Sequence, residues 1–197
     1  MSVANTRGRY GSVAMTLHWL IALAIVVNIC LGLYFVDILS DDDPSRFALI
    51  QFHKSVGLTV LALSVLRLAW RLVNPVPPLP ASMSKGLKLV AHVTHYLLYF
   101  LIIFIPLSGW ALVSSSPLGL PTSYFGLFHW PHLPFLADLP RAEKIPLRHF
   151  LGATHMYLAF SAIGLLVLHV IGALYHQFRG DDVLRRMLPG TQIARHA

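Results

Sequence analysis

Charge is what this chain has least of. Only 12% of its 197 residues are Asp, Glu, Lys or Arg, against about 25% in a soluble domain. Apolar residues make up 56%, and the mean hydropathy is +0.66. Cysteine occurs once, as Cys30, which excludes an intrachain disulfide and leaves the redox compartment unreadable from thiols. No internal repeat and no low-complexity tail are present.

In place of charge there are four long apolar runs, about 13–36, 49–73, 87–113 and 150–177, each able to cross a bilayer as a helix. The first follows Arg7 and Arg9 and so has the look of a signal peptide. It is longer than a typical signal core, and no clear small-residue cleavage site follows it, so it reads as retained. The expected fold class is all-α: an integral-membrane four-helix bundle forming one domain over residues 1–197. Membrane lipid is its surrounding solvent.

The connections differ in kind. The first, around 37–47, is short and acidic. The second, from Asn74 to Lys85, contains Pro75, Pro77, Pro78 and Pro80 and reads as an extended linker. The third, about Ser114–His149, is the longest and the most proline-rich, and its Tyr124, Phe125, Phe128 and Trp130 suit a segment lying at the interface. Pro106 falls inside the third run, where it favours a kink.

The formal charge of +7 does not point to nucleic acid. In a four-span arrangement Arg7, Arg9, Arg67, Arg71, Lys85, Lys88, Arg179, Arg185, Arg186 and Arg195 share one side. Five basic residues and most of the acidic ones share the other. The positive-inside rule then places both termini in the cytoplasm.

Histidine is what the chain has in abundance, with eleven. His155 and His169 stand fourteen residues apart in one apolar run, almost four helical turns, so both imidazoles point the same way about 21 Å apart along the axis. In a hydrocarbon core about 30 Å thick, one lies near each leaflet. His18 begins the first span on the cytoplasmic side and His53 begins the second on the outer side. Depth therefore matches His18 with His169 and His53 with His155. Imidazole is a strong axial ligand of haem iron, so each pair could complete a six-coordinate haem. The competing reading is four histidines satisfied by interhelical hydrogen bonds.

Arg67 follows His53 by fourteen residues and lies on the same helix face near the inner level. It would neutralise haem propionates there or, alternatively, snorkel to the interface. His92 and His95 open the third span, three residues apart. They read as alternative inner ligands, as propionate partners or as the lining of a quinone pocket. His176 follows His169 by seven residues and either exchanges a proton with a quinone or simply sits at the interface. His129, His132 and His149 fall in the outer loop, where a zinc site is a weak prospect without a thiolate or carboxylate to complete it. His196 belongs to the tail.

These residues sit in fragments that are specific in combination: "LHWL", "FHKSVGLTVLALSVLRLAWRL", "LVAHVTHYLLYFLIIFIPLSGW", "THMYLAFSAIGLLVLHVIGALYHQ" and "DDVLRRMLPG". In order and spacing the chain resembles the bacterial cytochrome b561 family of four-helix dihaem membrane cytochromes, over nearly its whole length. The resemblance implies two b-type haems held by His18, His53, His155 and His169. It also implies electron exchange with the quinone pool. The best-understood relatives oxidise superoxide at the outer face. They carry a lysine and a tryptophan just before the outer histidine of span four, where this chain has Gly152, Ala153 and Thr154; Lys144 and Arg148 lie slightly further out, and Asp41, Asp42 and Asp43 would repel an anion.

Three functions follow as expectations. The first is a transmembrane electron-transfer cytochrome using quinone, with superoxide or a protein as electron donor. The second is a haem-bearing anchor subunit for a separate dehydrogenase or periplasmic partner. The third is a metal or proton transporter, which the lack of carboxylates in spans two to four disfavours.

Overall fold

A computed structural model describes residues 2–190; Arg195 and His196 lie outside the described residues. The order of elements is α1 (Ser12–Leu33), α2 (Arg46–Val73), α3 (Lys85–Ser114), β1 (Thr122–Tyr124), β2 (Phe128–Trp130), α4 (Pro134–Ala137) and α5 (Arg141–Phe178). α1 runs on through a π-helical turn at Tyr34–Ile38. Four helices are long and apolar enough to cross a membrane: Ser12–Ile38, Arg46–Val73, Lys85–Ser114 and Arg141–Phe178. The protein is a multi-pass, mostly helical membrane bundle.

α1 packs on α2, α2 on α3, and α3 on α5. Neither α1 nor α2 packs extensively on α5. The bundle is thus a row of three tight contacts with a slot between α5 and the first two helices. The side chains most completely enclosed are small hydroxyls, Ser55, Ser64, Ser114, Ser115 and Thr122. Lipid is as apolar as leucine, so membrane helices gain by close approach at small residues rather than by burying large ones. Large apolar groups such as Leu23, Leu66, Phe100 and Val167 accordingly face outward.

Two expectations are corrected. The fourth helix begins at Arg141, nine residues before the apolar run at Phe150, so Lys144, Pro146, Arg148 and His149 are helical rather than part of a loop. At about 1.5 Å per residue this helix outruns the hydrocarbon core, and its polar start stands outside it. Pro146 is tolerated because it lies in the second turn, where its missing N–H forfeits only one helical hydrogen bond. The long connection before it holds a β-hairpin, with Thr122 opposite Trp130, Ser123 opposite His129 and Tyr124 opposite Phe128. Gly126, at φ +76°, supplies the left-handed residue that reverses the chain.

The hairpin is clamped onto the N-terminal half of α2. Gln51 donates to the Pro121 carbonyl at 2.8 Å and accepts from the Ser123 N–H at 3.1 Å. The buried Ser55 hydroxyl donates toward the Ser123 carbonyl at 3.1 Å and accepts from the Phe125 N–H at 3.0 Å. Thr59 meets the Tyr124 hydroxyl at 3.0 Å.

The opposite end, which carries both termini, is knit by long-range bonds. Asn5 reaches the Pro75 carbonyl, Trp19 the Met187 carbonyl and Arg186 the Pro78 carbonyl, while Arg9 holds Leu188. The proline-rich linker is extended, as its composition demands, and its Pro75 and Pro78 carbonyls accept two of these bonds. α3 then starts at Ser84, whose hydroxyl caps the Leu87 N–H.

Ser55 generates a prediction. Ser55→Ala leaves the Phe125 N–H without its partner, at about 1–3 kcal/mol for a buried donor. Limited proteolysis is expected to cut within 118–130 faster in the variant than in the wild type, with the helices still protected.

Candidate functional site

The slot beside α5 is where the intramembrane histidines meet. The ring centres of His18 and His169 are 6.2 Å apart, with planes crossing at 64°. Those of His53 and His155 are also 6.2 Å apart, crossing at 79°. A metal–imidazole bond is about 2 Å long, and with about 1.2 Å from nitrogen to ring centre on each side, two rings sharing one metal stand about 6.4 Å apart. Both pairs match that separation. They also join α5 to the two helices that do not pack extensively on it.

The hydrogen bonds at the outer pair choose which nitrogen faces the slot. His53 donates its Nδ1–H to the Asn28 carbonyl at 3.2 Å. His155 points Nδ1 at the Ile105 carbonyl, 3.1 Å away, and at the Ser108 hydroxyl, 2.9 Å away. A carbonyl only accepts, so Nδ1 carries the proton and Nε2 keeps its lone pair, the arrangement usual for a metal-binding histidine. Glycine makes room for both rings. A Cβ at Gly109 would stand 3.1 Å from His155 Cε1, and one at Gly32 would stand 3.4 Å from His53 Cε1.

At the level of His18, His95 also approaches His169, with ring centres 5.4 Å apart. That is about 1 Å too close for two rings sharing a metal. Arg67 lies within electrostatic reach of His18, His95 and His169. It donates to the Ala14 carbonyl at 2.8 Å and sits over the Tyr99 ring. Its bonded partner is thus a neutral carbonyl on α1, and most of its five N–H donors are left for an anion. Arg71 shares the Tyr99 face and hydrogen-bonds Tyr10; burial pushes the Tyr10 phenol above its ordinary range.

Among the described residues no group of three or more His, Cys, Asp or Glu is placed to hold a bare metal ion. Facing pairs of imidazoles suit instead an iron already held in a plane by a macrocycle. A model of the family described as prokaryotic cytochrome b561 matches residues 9–190. The chain belongs to the prokaryotic cytochrome b561 family. It is 39% identical over 190 residues to cytochrome b561 homolog 2 of Escherichia coli (strain K12), covering 95% of each chain. It is 27% identical over 186 residues to the protein of Yersinia pestis named "Probable superoxide oxidase CybB", covering 92% of this chain and 96% of that one. Membership makes it a membrane cytochrome b, a b-type haem protein of electron transfer.

The remaining candidates scatter. His92 is exposed and bonds back to the Lys88 carbonyl of its own helix at 2.7 Å. His176 is buried at the terminal end, with Nδ1 2.7 Å from an Asp181 carboxylate oxygen. His129 lies on the hairpin, and His132 is near Lys54 and Lys144, which together with its burial hold it below its ordinary range. Sequence reasoning missed Asn28, Ser108, Gly109, Ser82 and Asp181. The first three are unremarkable in sequence, since they matter only for what another helix brings against them. Asp181 had a readable signal, the Gly180 that follows the helix end.

Proposed function

We propose that this protein is a dihaem cytochrome b that moves electrons across the bacterial inner membrane, exchanging them with the quinone pool at the cytoplasmic end. The observation that carries this reading is the pair of 6.2 Å imidazole separations at two levels of one helix. Bound haem supplies an iron that takes up and releases single electrons.

The chain's own groups do the rest. His18 and His169 hold the inner haem, and His53 and His155 the outer one. Arg67 offers its remaining N–H groups to the inner haem's propionates, for which no protein carboxylate competes within reach among the salt bridges of the described residues. His95, too close to His169 to share an iron with it, lines the inner site. The outer imidazoles are oriented by the Asn28 and Ile105 carbonyls and by Ser108. The excess of Lys and Arg at the terminal end supports a cytoplasmic location for both termini. His176, with His95 and His92 nearest the same end, is the group best suited to pass a proton to a quinone there.

Superoxide oxidation at the outer face is a second reading, favoured by the relative named for it and by one observation. Lys54 and Lys144 lie close enough to His132 to act on its charge, which gives the outer end cationic groups that would attract an anion. The acidic loop is partly neutralised, since Arg46 pairs with Asp41 at 3.1 Å.

A pyridine haemochrome assay is expected to give two haems per chain, both low-spin and both extractable by acidified acetone. His53→Ala and His155→Ala should each remove the outer haem, and His18→Ala and His169→Ala the inner one. A single haem per chain overturns the dihaem reading. If His95→Ala removes the inner haem and His18→Ala does not, the span-one ligand is wrong. Failure to exchange electrons with any quinone points to a protein partner, as for an anchor subunit.

Glycine supplies a finer test. Gly109→Val is expected to push the His155 ring off its carbonyl and lower the haem-to-protein ratio toward half. Gly164→Val, on the same bundle but with open space around its Cβ, should leave the ratio unchanged.

A further inference from the structure

The end of α5 folds back on itself in a way the electron-transfer reading does not use. The helix stops at Phe178, and Gly180 takes a left-handed conformation at φ +76°. The Asp181 N–H then bonds the His176 carbonyl at 3.0 Å, and the Gly180 N–H bonds the Gln177 carbonyl at 3.2 Å. These are the two bonds of a Schellman ending, which a glycine at this position favours. Its geometric consequence is that Asp181, five residues on, returns to His176.

The Asp181 carboxylate sits 2.7 Å from His176 Nδ1, and both side chains are only 11% exposed. Its other oxygen accepts a 2.6 Å hydrogen bond from Ser82, on the proline-rich linker. A linker hydroxyl 99 residues away in sequence thus joins the tail carboxylate and the helix imidazole in one chain of hydrogen bonds. Ser82 is exposed, so the chain begins in water and ends at a buried ring. The Ser82 bond, then the His176 contact, hold the Asp181 carboxyl below the ordinary carboxylate range. The other polar groups facing this cluster are Tyr175, whose ring meets His176 edge-on, and Arg179, which bonds the Tyr175 hydroxyl.

We propose that Asp181, placed by Gly180 and steadied by Ser82, is the positioning residue through which His176 delivers protons from the aqueous face to a quinone reduced at this end. This rests on the quinone reading given above. With Nδ1–H held by the carboxylate, Nε2 is the nitrogen left to exchange protons, and its direction is set. Reduction of a quinone to a quinol consumes two electrons and two protons. The electrons come from an external one-electron reductant by way of the cytochrome. Each proton leaves His176 Nε2 as an N–H bond breaks and an O–H bond forms on the quinone. The imidazole regains it from water along the Ser82–Asp181 side. While Nε2 carries the transferable proton, the adjacent carboxylate compensates its charge; an amide would not.

The test uses detergent-purified full-length protein with its haems, reduced by dithionite and mixed with decylubiquinone. Asp181→Asn is expected to retain both haem spectra and slow reoxidation by about tenfold or more, the range of a lost proton-transfer contribution, with little change in the quinone concentration for half-maximal rate. The slowing should grow as pH rises and shrink in acid, because protons are then abundant without the relay. Ser82→Ala should slow the reaction in the same direction but less. Asp182→Asn, a neighbouring carboxylate paired with Arg185, should match the wild type. In 15N-histidine spectra of the protein, the His176 Nδ1–H tautomer should be lost or mixed in Asp181→Asn. Equal rates for Asp181→Asn and wild type at every pH, or an unchanged tautomer, overturn the proposal. A wild type that transfers nothing to decylubiquinone overturns the quinone reading itself.

Discussion

An imidazole ring inside hydrocarbon is costly unless both of its nitrogens are engaged, and this bundle carries its intramembrane rings where that condition sets the spacing of the helices. The two nitrogens divide the work. In the His53–His155 pair Nδ1 is spent on a carbonyl of a neighbouring helix, Asn28 for His53 and Ile105 for His155. Nε2 is then left free of that bond, and the two ring centres stand 6.2 Å apart. The same constraint explains why α1 and α2 stand off from α5, and why Gly32 and Gly109 occupy the positions against the rings. A larger residue at either would move an imidazole whose other nitrogen is already committed.

The two ends of the molecule are closed by different means because their surroundings differ. At the outer end a short hairpin is pinned to α2 by Gln51, Ser55 and Thr59, covering the helix just beyond His53. At the terminal end the closure is a weave of single bonds between the N-terminal segment, the linker and the residues after α5. The first arrangement is a lid built on a helix face. The second leaves hydroxyl and carboxylate groups in contact with water while drawing one of them onto a buried histidine, which is the property a proton route would require.

Helix geometry made much of this legible in advance. A rise of about 1.5 Å per residue and 3.6 residues per turn convert positions 155 and 169 into two depths on one face. The same arithmetic from His53 sets Arg67 fourteen residues further along one face of α2. Where helix geometry was not the governing rule, the reading went astray. Hydropathy puts the start of α5 at Phe150 because it marks the membrane, not the helix, and a helix continues as long as its backbone bonds can be made. The hairpin reads in sequence as an interfacial loop because its aromatics carry no clear alternation over strands of three residues.

The sequence by itself determined the number of spans, the spacing of the histidines within each apolar run and the basic bias of one end, since all three depend on local composition and on a periodicity internal to each helix. Tertiary structure alone decided which side chains stand opposite one another: that Ser108 and Gly109 back His155, that His95 comes too near His169 to share a metal with it, and that Ser82 reaches across to Asp181. Those contacts depend on the rotation and separation of helices, which are fixed by packing at a few small residues on neighbouring segments. No single segment carries that information.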